Sequence, residues 1–279
     1  MDLRMTLLGG FLLWPVLVLA DEFTLPPGCE VPWKEIAVDH LITMECGREG
    51  KSEGGPGANQ NRMKNNLCAT NEPVSLSYGD FSAMQRKANR RREKEADFNF
   101  GTRQHPIRNR AKLRDFYTTK DGTTVGEGVV VRHSGFLAEA RKARIGTSGE
   151  SVNCKLTEKD ENDIHIDIVR RPSDPPCLSV TAEMIPHFRP DSWTPENLNH
   201  IRDLRLPVRV TGHLFFDSSH TPCVGTKSPG PGHPLRVSVW EIHPVYKFEV
   251  CRNRTKASCP EGDTAVWQDL HEWVQENRP

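Results

Sequence analysis

Apolar residues are scarce in this chain, only 36% of 279, and aromatics reach just 7%, with three tyrosines in all. Together with a mean hydropathy of −0.59, this is too polar for one uniformly packed globule. It points to loosely packed segments around a modest core that cross-links stiffen. Net charge of either sign is also lacking, with 37 Lys and Arg against 37 Asp and Glu. That balance argues against a dedicated nucleic-acid binder. Long apolar runs are absent after the first twenty residues, so nothing further along reads as a membrane span. No Walker loop, no GxGxxG fingerprint and no GxSxG elbow occurs, which removes the common phosphate-loop, dinucleotide and serine-hydrolase readings. Ser218-Ser219-His220 is too local to form a triad. No CxxC pair and no zinc-finger spacing is present either, so a structural thiolate–zinc site is not expected.

What is present begins with MDLRMTLLGGFLLWPVLVLADEF. Arg4 precedes an almost wholly apolar stretch over 7–19, interrupted by Pro15 and followed by the small Ala20. Residues 1–20 read as a cleaved signal peptide, an uncleaved anchor being the alternative. The protein is therefore expected to be exported, periplasmic or secreted, with no span in the mature chain. Its eight cysteines all follow the leader and are even in number, as in a disulfide-bonded exported protein. Local bridges are expected: among Cys29, Cys46 and Cys68, between Cys154 and Cys177, and from Cys223 to Cys251 or Cys259.

The chain divides by composition. A disulfide-stapled N-terminal region is expected over 21–78. Its Gly-rich loop at 47–57 leads into an amide-rich stretch where Asn59, Gln60, Asn61, Lys64, Asn65 and Asn66 could line a polar site or be merely solvated. A basic helix or linker follows over 79–122, with Phe81, Met84 and Ala88 at helical spacing. Within 85–114, eleven Lys/Arg face three acids. Arg90, Arg91 and Arg92, with interleaved aromatics, make a polyanion contact through 86–114 conceivable by phosphate neutralisation and stacking; a solvated charged helix is the plainer reading. Strand patterns occupy 123–251. TTVGEGVVVRHSGFL suggests a strand bent by Gly126 and Gly128. ESVNCKLT, NDIHIDIV and CLSVTAEMI suggest three more, and Thr194-Pro195-Glu196 starts a helix. A tail over 252–279 carries an amphipathic helix, with Val266, Leu270, Trp273 and Val274 on one face.

Strands, a helix, then PVRVTGHLFFD and a closing WEIHP strand resemble the OB-fold, a five-stranded Greek-key barrel, over 125–251. The fold class expected is thus mainly β, an OB-like Greek-key barrel with a small disulfide-stapled N-terminal region and a short C-terminal helix. The chain also resembles an uncharacterised family of exported bacterial proteins carrying a D-x-H strand and a WEIHP strand, which lends no activity. What the OB resemblance implies is a strand face that binds an oligosaccharide, a nucleic acid or a protein. Staphylococcal-type nucleases share that barrel, but no counterpart to their calcium carboxylates and paired arginines stands out.

Strand parity sorts the polar residues. Asp163, His165 and Asp167 share one face, as do His213 and Asp217, and Glu241 and His243. If these faces coincide, His165, Asp167, His220, Glu241 and His243 form a ligand set for zinc or a similar divalent ion. Glu241 then stands as a possible general base for hydrolysis. Against this, histidines in β-proteins also bond carboxylates simply to hold strands together. The two expectations are a binding module of unknown ligand and a metal-dependent hydrolase.

Overall fold

The computed structural model describes residues 46–52, 55–67, 72–101, 107–143 and 148–277. The expected leader, Cys29 and Cys68 lie outside them. Five long strands carry the architecture: β4 (Val130–Lys142), β5 (Ile164–Val169), β6 (Val180–Met184), β7 (Pro207–Phe216) and β8 (Trp240–Cys251). They hydrogen-bond in the order β4-β5-β6-β8-β7, and β7 pairs back onto β4 to close a mixed barrel. The β6–β8 pair is parallel and the other four contacts are antiparallel. Short strands extend the sheet, with β1 (Val74–Ser75) on β4 and β9 (Trp267–Asp269) on β8, while β2 (Tyr117–Thr118) and β3 (Thr124–Val125) pair by themselves.

Alternation decides what fills the barrel. Ile164, Ile166 and Ile168 of β5, Val180, Ala182 and Met184 of β6, and Trp240 and Ile242 of β8 join one buried apolar cluster. Each strand's intervening residues therefore face outward.

β4 must pair with β7 through Val130–Phe136 and with β5 through Phe136–Lys142, so it turns the barrel corner near its middle. Gly135 sits there, where a Cβ would lie 2.5 Å from the Val169 carbonyl. The expected bend at Gly126 and Gly128 is thus corrected: both precede the strand, and Gly128 adopts a left-handed turn conformation. Gly212 serves β7 similarly, next to register shifts opposite β8, where any Cβ would collide with the Pro244 carbonyl.

Among the described residues, four α-helices surround the barrel. α1 (Gly55–Lys64) and α2 (Tyr78–Lys94) precede it, α3 (Pro195–Asp203) lies between β6 and β7, and α4 (Leu270–Glu276) follows β9. α2 buries Phe81, Met84 and Ala88 and opens on a Ser77/Asp80 capping box. α3 starts as expected, with the Thr194 side chain accepting from Asn197 N and Pro195 at its first position. It buries Leu198 and Ile201, and Asn199 bonds both backbone groups of Ala140 in β4. α4 buries Leu270, Trp273 and Val274.

ESVNCKLT does not form a strand; Ser151–Asn153 is a single 3-10 turn, and Cys154 and Lys155 take left-handed conformations. The bridges also differ from the local pairing expected. They join Cys46 to Cys154, Cys177 to Cys223 and Cys251 to Cys259. Sequence proximity is a poor guide because closing a long loop costs only slightly more entropy than closing a short one. Three bridges fit an oxidising compartment. Among the described residues no helix is long and apolar enough to cross a membrane.

Candidate metal centre

The outward face of β5, β6 and β8 is not solvated. Register places His165 directly across from Glu183. The parallel pair Ala182–Ile242 brings Glu183, one residue on, beside His243, likewise one residue on. Glu241 lies opposite Phe215 of β7. The result is a row of His, Glu and His across three adjacent strands, roofed by α1 and by the 148–163 segment.

Distances within the row are short. His165 Nδ1 is 3.1 Å from Glu183 Oε1, and His243 Nδ1 is 2.8 Å from Glu183 Oε2. The far nitrogens face two further acids, with His165 Nε2 3.6 Å from Glu150 Oε1 and His243 Nε2 3.7 Å from Asp163 Oδ2. Glu241 Oε1 is 3.4 Å from His243 Nδ1. Asp163, Glu241 and His243 have no exposed surface, and Glu183 has 4%. His165 and Glu150 retain 18% and 24% of their side-chain exposure, so the pocket opens on their side.

The outer oxygens are held by neighbours. Asn153 Nδ2 donates to Asp163 Oδ1 at 3.0 Å and to Glu150 Oε2 at 3.3 Å, and the Asp163 backbone N–H also donates to Glu150 Oε2. Buried Arg236 joins Glu241 Oε2 to Asp217 Oδ2. The inner atoms are not so held. Among the described residues, Asp163 Oδ2, Glu183 Oε2, Glu241 Oε1 and both His243 nitrogens find no hydrogen bond of acceptable geometry. Two sets of three potential ligands converge and share Glu183: Glu150–His165–Glu183 and Asp163–Glu183–His243.

Lys64 reaches in from α1, its Nζ 3.8 Å from Glu183 Oε2 and 5.6 Å from the centre of the Phe215 ring. Burial disfavours its charge, but Glu183, Glu241, Asp217 and Glu150 outweigh that and hold it above the usual lysine value. The same competition governs the histidines. Burial lowers them, yet Glu183 and Glu150 hold His165 well above its ordinary value, and Glu183 chiefly raises His243 to about 9. Asp163 is pushed up to about 7 by burial and by Glu150. Glu183 stays well below the carboxylate range despite burial, because His165, Lys64 and His243 surround it. Carboxylates outnumber the fixed cations Lys64 and Arg236, so protons or a bound cation must supply the missing positive charge.

No family model, curated protein or solved structure matches the chain. Its chemistry must be read from this geometry.

Of the ligand set expected from sequence, the structure brings His165, Glu241 and His243 together. His220 stands at the margin, bonding Asp217 at 2.6 Å and so linked through Arg236 to Glu241. Asp167 stands apart, paired with Arg141 at 2.6 Å. Of the amide-rich residues, Lys64 enters the pocket. Asn61 and Asn65 are buried, and their amides bond the Glu49 and Arg48 carbonyls. Arg91 bonds Glu95 and the Lys112 carbonyl and stacks on Phe98; Arg92 lies over Phe100; Arg90 is exposed on α2. Sequence reasoning missed Glu150, Asn153, Glu183 and Arg236. Parity within VTAEM puts Glu183 on a polar face with Thr181, a usable signal; Glu150, Asn153 and Arg236 sit in loops that carry none.

Proposed function

We propose that this is an exported barrel protein of the OB type that binds a divalent metal through Asp163, Glu183 and His243 and uses it in hydrolysis. The strand order, the parallel β6–β8 pair and the helix between the third and fourth barrel strands support the OB assignment. A disulfide-bonded barrel is equally compatible with a binding module. The hydrolytic reading is preferred because this strand face carries a largely buried cluster of acids and histidines beside Lys64 of α1, open to solvent at His165 and Glu150.

One observation carries the reading: buried carboxylate and imidazole atoms from different strands and loops converge, touching one another and Lys64 as ion pairs but without hydrogen bonds of acceptable geometry among the described residues. Burying such atoms without hydrogen bonds is costly, and a cation at their centre satisfies them together. A mixed carboxylate and imidazole set of this kind suits zinc, manganese or iron. A metal so held supplies Lewis acidity and activates water for attack on an ester, phosphodiester or amide. Glu241, with Arg236 holding its outer oxygen and its inner oxygen turned to the pocket, is placed to accept a proton. Lys64 and Arg236 limit the mutual repulsion of the acids.

Elemental analysis tests this on protein made in an oxidising compartment and purified without chelator or metal-affinity tag. At least one tightly held equivalent is expected, absent from His243→Ala and from the near-isosteric Glu183→Gln. Wild type that folds cooperatively yet takes up neither Zn2+ nor Mn2+ would defeat the proposal. Chelator-sensitive turnover of a generic ester or phosphodiester, lost in Glu241→Gln, is the accompanying expectation.

A further inference from the structure

We infer that Glu183 is a bridging carboxylate and that Glu150, His165 and Glu183 form a second divalent-cation site beside the one at Asp163, Glu183 and His243. The inference rests on the metal reading above and extends it from one ion to two.

Topology is the first argument. β6 lies between β5 and β8, and Glu183 is flanked at the same level by a histidine from each. Each imidazole approaches a different oxygen of the one carboxylate, His165 at Oε1 and His243 at Oε2. A carboxylate presented this way to two imidazoles matches the bridging ligand of two-metal centres, whose ions lie about 3.5–4 Å apart.

Spacing is the second. Ligand atoms about 2.0–2.1 Å from a tetrahedral zinc lie roughly 3.3 Å from one another. His165 Nδ1 lies 3.1 Å from Glu183 Oε1, close to that value, and one ligand atom each from Glu150, His165 and Glu183 lie within 4.8 Å of one another.

The third argument is the support around both acids. A single amide, Asn153 Nδ2, bonds the outer oxygens of Glu150 and Asp163 and leaves the inner oxygen of each turned toward a histidine. Asn153 is itself fully buried, next to Cys154, which the bridge to Cys46 anchors. One clamp thus orients one acid of each set. The two sets differ in access: His243 and Asp163 are sealed, whereas His165 and Glu150 are half-open to solvent. The second ion is therefore the more exchangeable one.

Titration with Mn2+ and with Zn2+, followed by calorimetry and elemental analysis, separates the possibilities. Wild type should take up about two equivalents, and Mn2+-loaded protein should show the spectrum of a spin-coupled pair. His165→Ala and Glu150→Gln alter half-open positions, and their thermal melts check that they fold. Each should retain one equivalent and show an uncoupled Mn2+ spectrum. Asn153→Ala should weaken both sites, by about 10–100-fold as is usual for loss of an outer-shell partner. A single equivalent in wild type, kept in His165→Ala, would overturn the second site and leave the first standing. Loss of all metal in His165→Ala would show one joint site and also overturn the inference. No uptake by wild type would overturn both readings.

Discussion

His133 illustrates how a single buried side chain sets a pH limit. It lies on β4 with 3% exposure, its Nδ1 2.8 Å from the Leu76 carbonyl and its ring edge-on to Phe81. Burial pushes its pKa down from 6.5 to about 4, outweighing the raising effect of the Leu76 carbonyl. The folded protein keeps it neutral, while the unfolded chain takes up the proton below 6.5. Its contribution is thus complete above about pH 6.5 and is lost as pH falls toward 4, a loss of about 3 kcal/mol. Thermal melts at pH 7.5 and 4.5 should show a smaller acid penalty in His133→Gln than in wild type. Equal penalties in the two proteins would mean that His133 is not held neutral. Arg209 shows the opposite solution to burial. Its guanidinium makes a bidentate pair with Glu249, at 2.7 and 2.6 Å, and lies over Trp267.

Among the elements, β4 decides whether the barrel closes. A 13-residue strand that serves two partners has to bend, and Gly135 allows the approach of the Val169 carbonyl and the Ile168 side chain. Gly135→Ala should shift the urea midpoint downward by an amount equivalent to about 1–3 kcal/mol, the usual cost of forced overpacking. An unchanged midpoint would show that the corner can widen. From sequence, the glycines nearest a valine run, Gly126 and Gly128, resemble the corner. They are turn residues instead, because the corner falls where β4 changes partner, which no local pattern records. Elements whose signal is local are readable: the β5 and β6 alternations, the Thr194-Pro195 helix start and the apolar stripe of α2. ESVNCKLT is not, since the Cys46–Cys154 bridge and the left-handed Cys154 and Lys155 hold it as a turn.

At the scale of the whole molecule, disulfides offset the shortage of apolar residues. Cys46–Cys154 closes 108 residues and Cys251–Cys259 only 8. In the chain-entropy model the longer loop is worth about 4–5 kcal/mol and the shorter roughly 2–3. Cys46→Ser with Cys154→Ser should therefore lower the melting temperature more than Cys251→Ser with Cys259→Ser. It should also reduce metal uptake, since Cys154 follows the Asn153 clamp. A larger loss from the short bridge would show that local packing around Trp267, and not loop entropy, governs these effects.

Composition and period are enough to establish a mainly β chain with cross-links, and to mark His165, Glu241 and His243 as candidate ligands, because alternation along a strand depends only on its own residues. The tertiary structure alone decided that Glu183 stands between the two histidines, that Glu150 and Asn153 join them, and that Asp167 pairs instead with Arg141. Those outcomes depend on which strands are neighbours, on their register and on a bridge spanning over a hundred residues. Such long-range choices are set by the packing of the whole barrel, and no stretch of sequence contains them by itself.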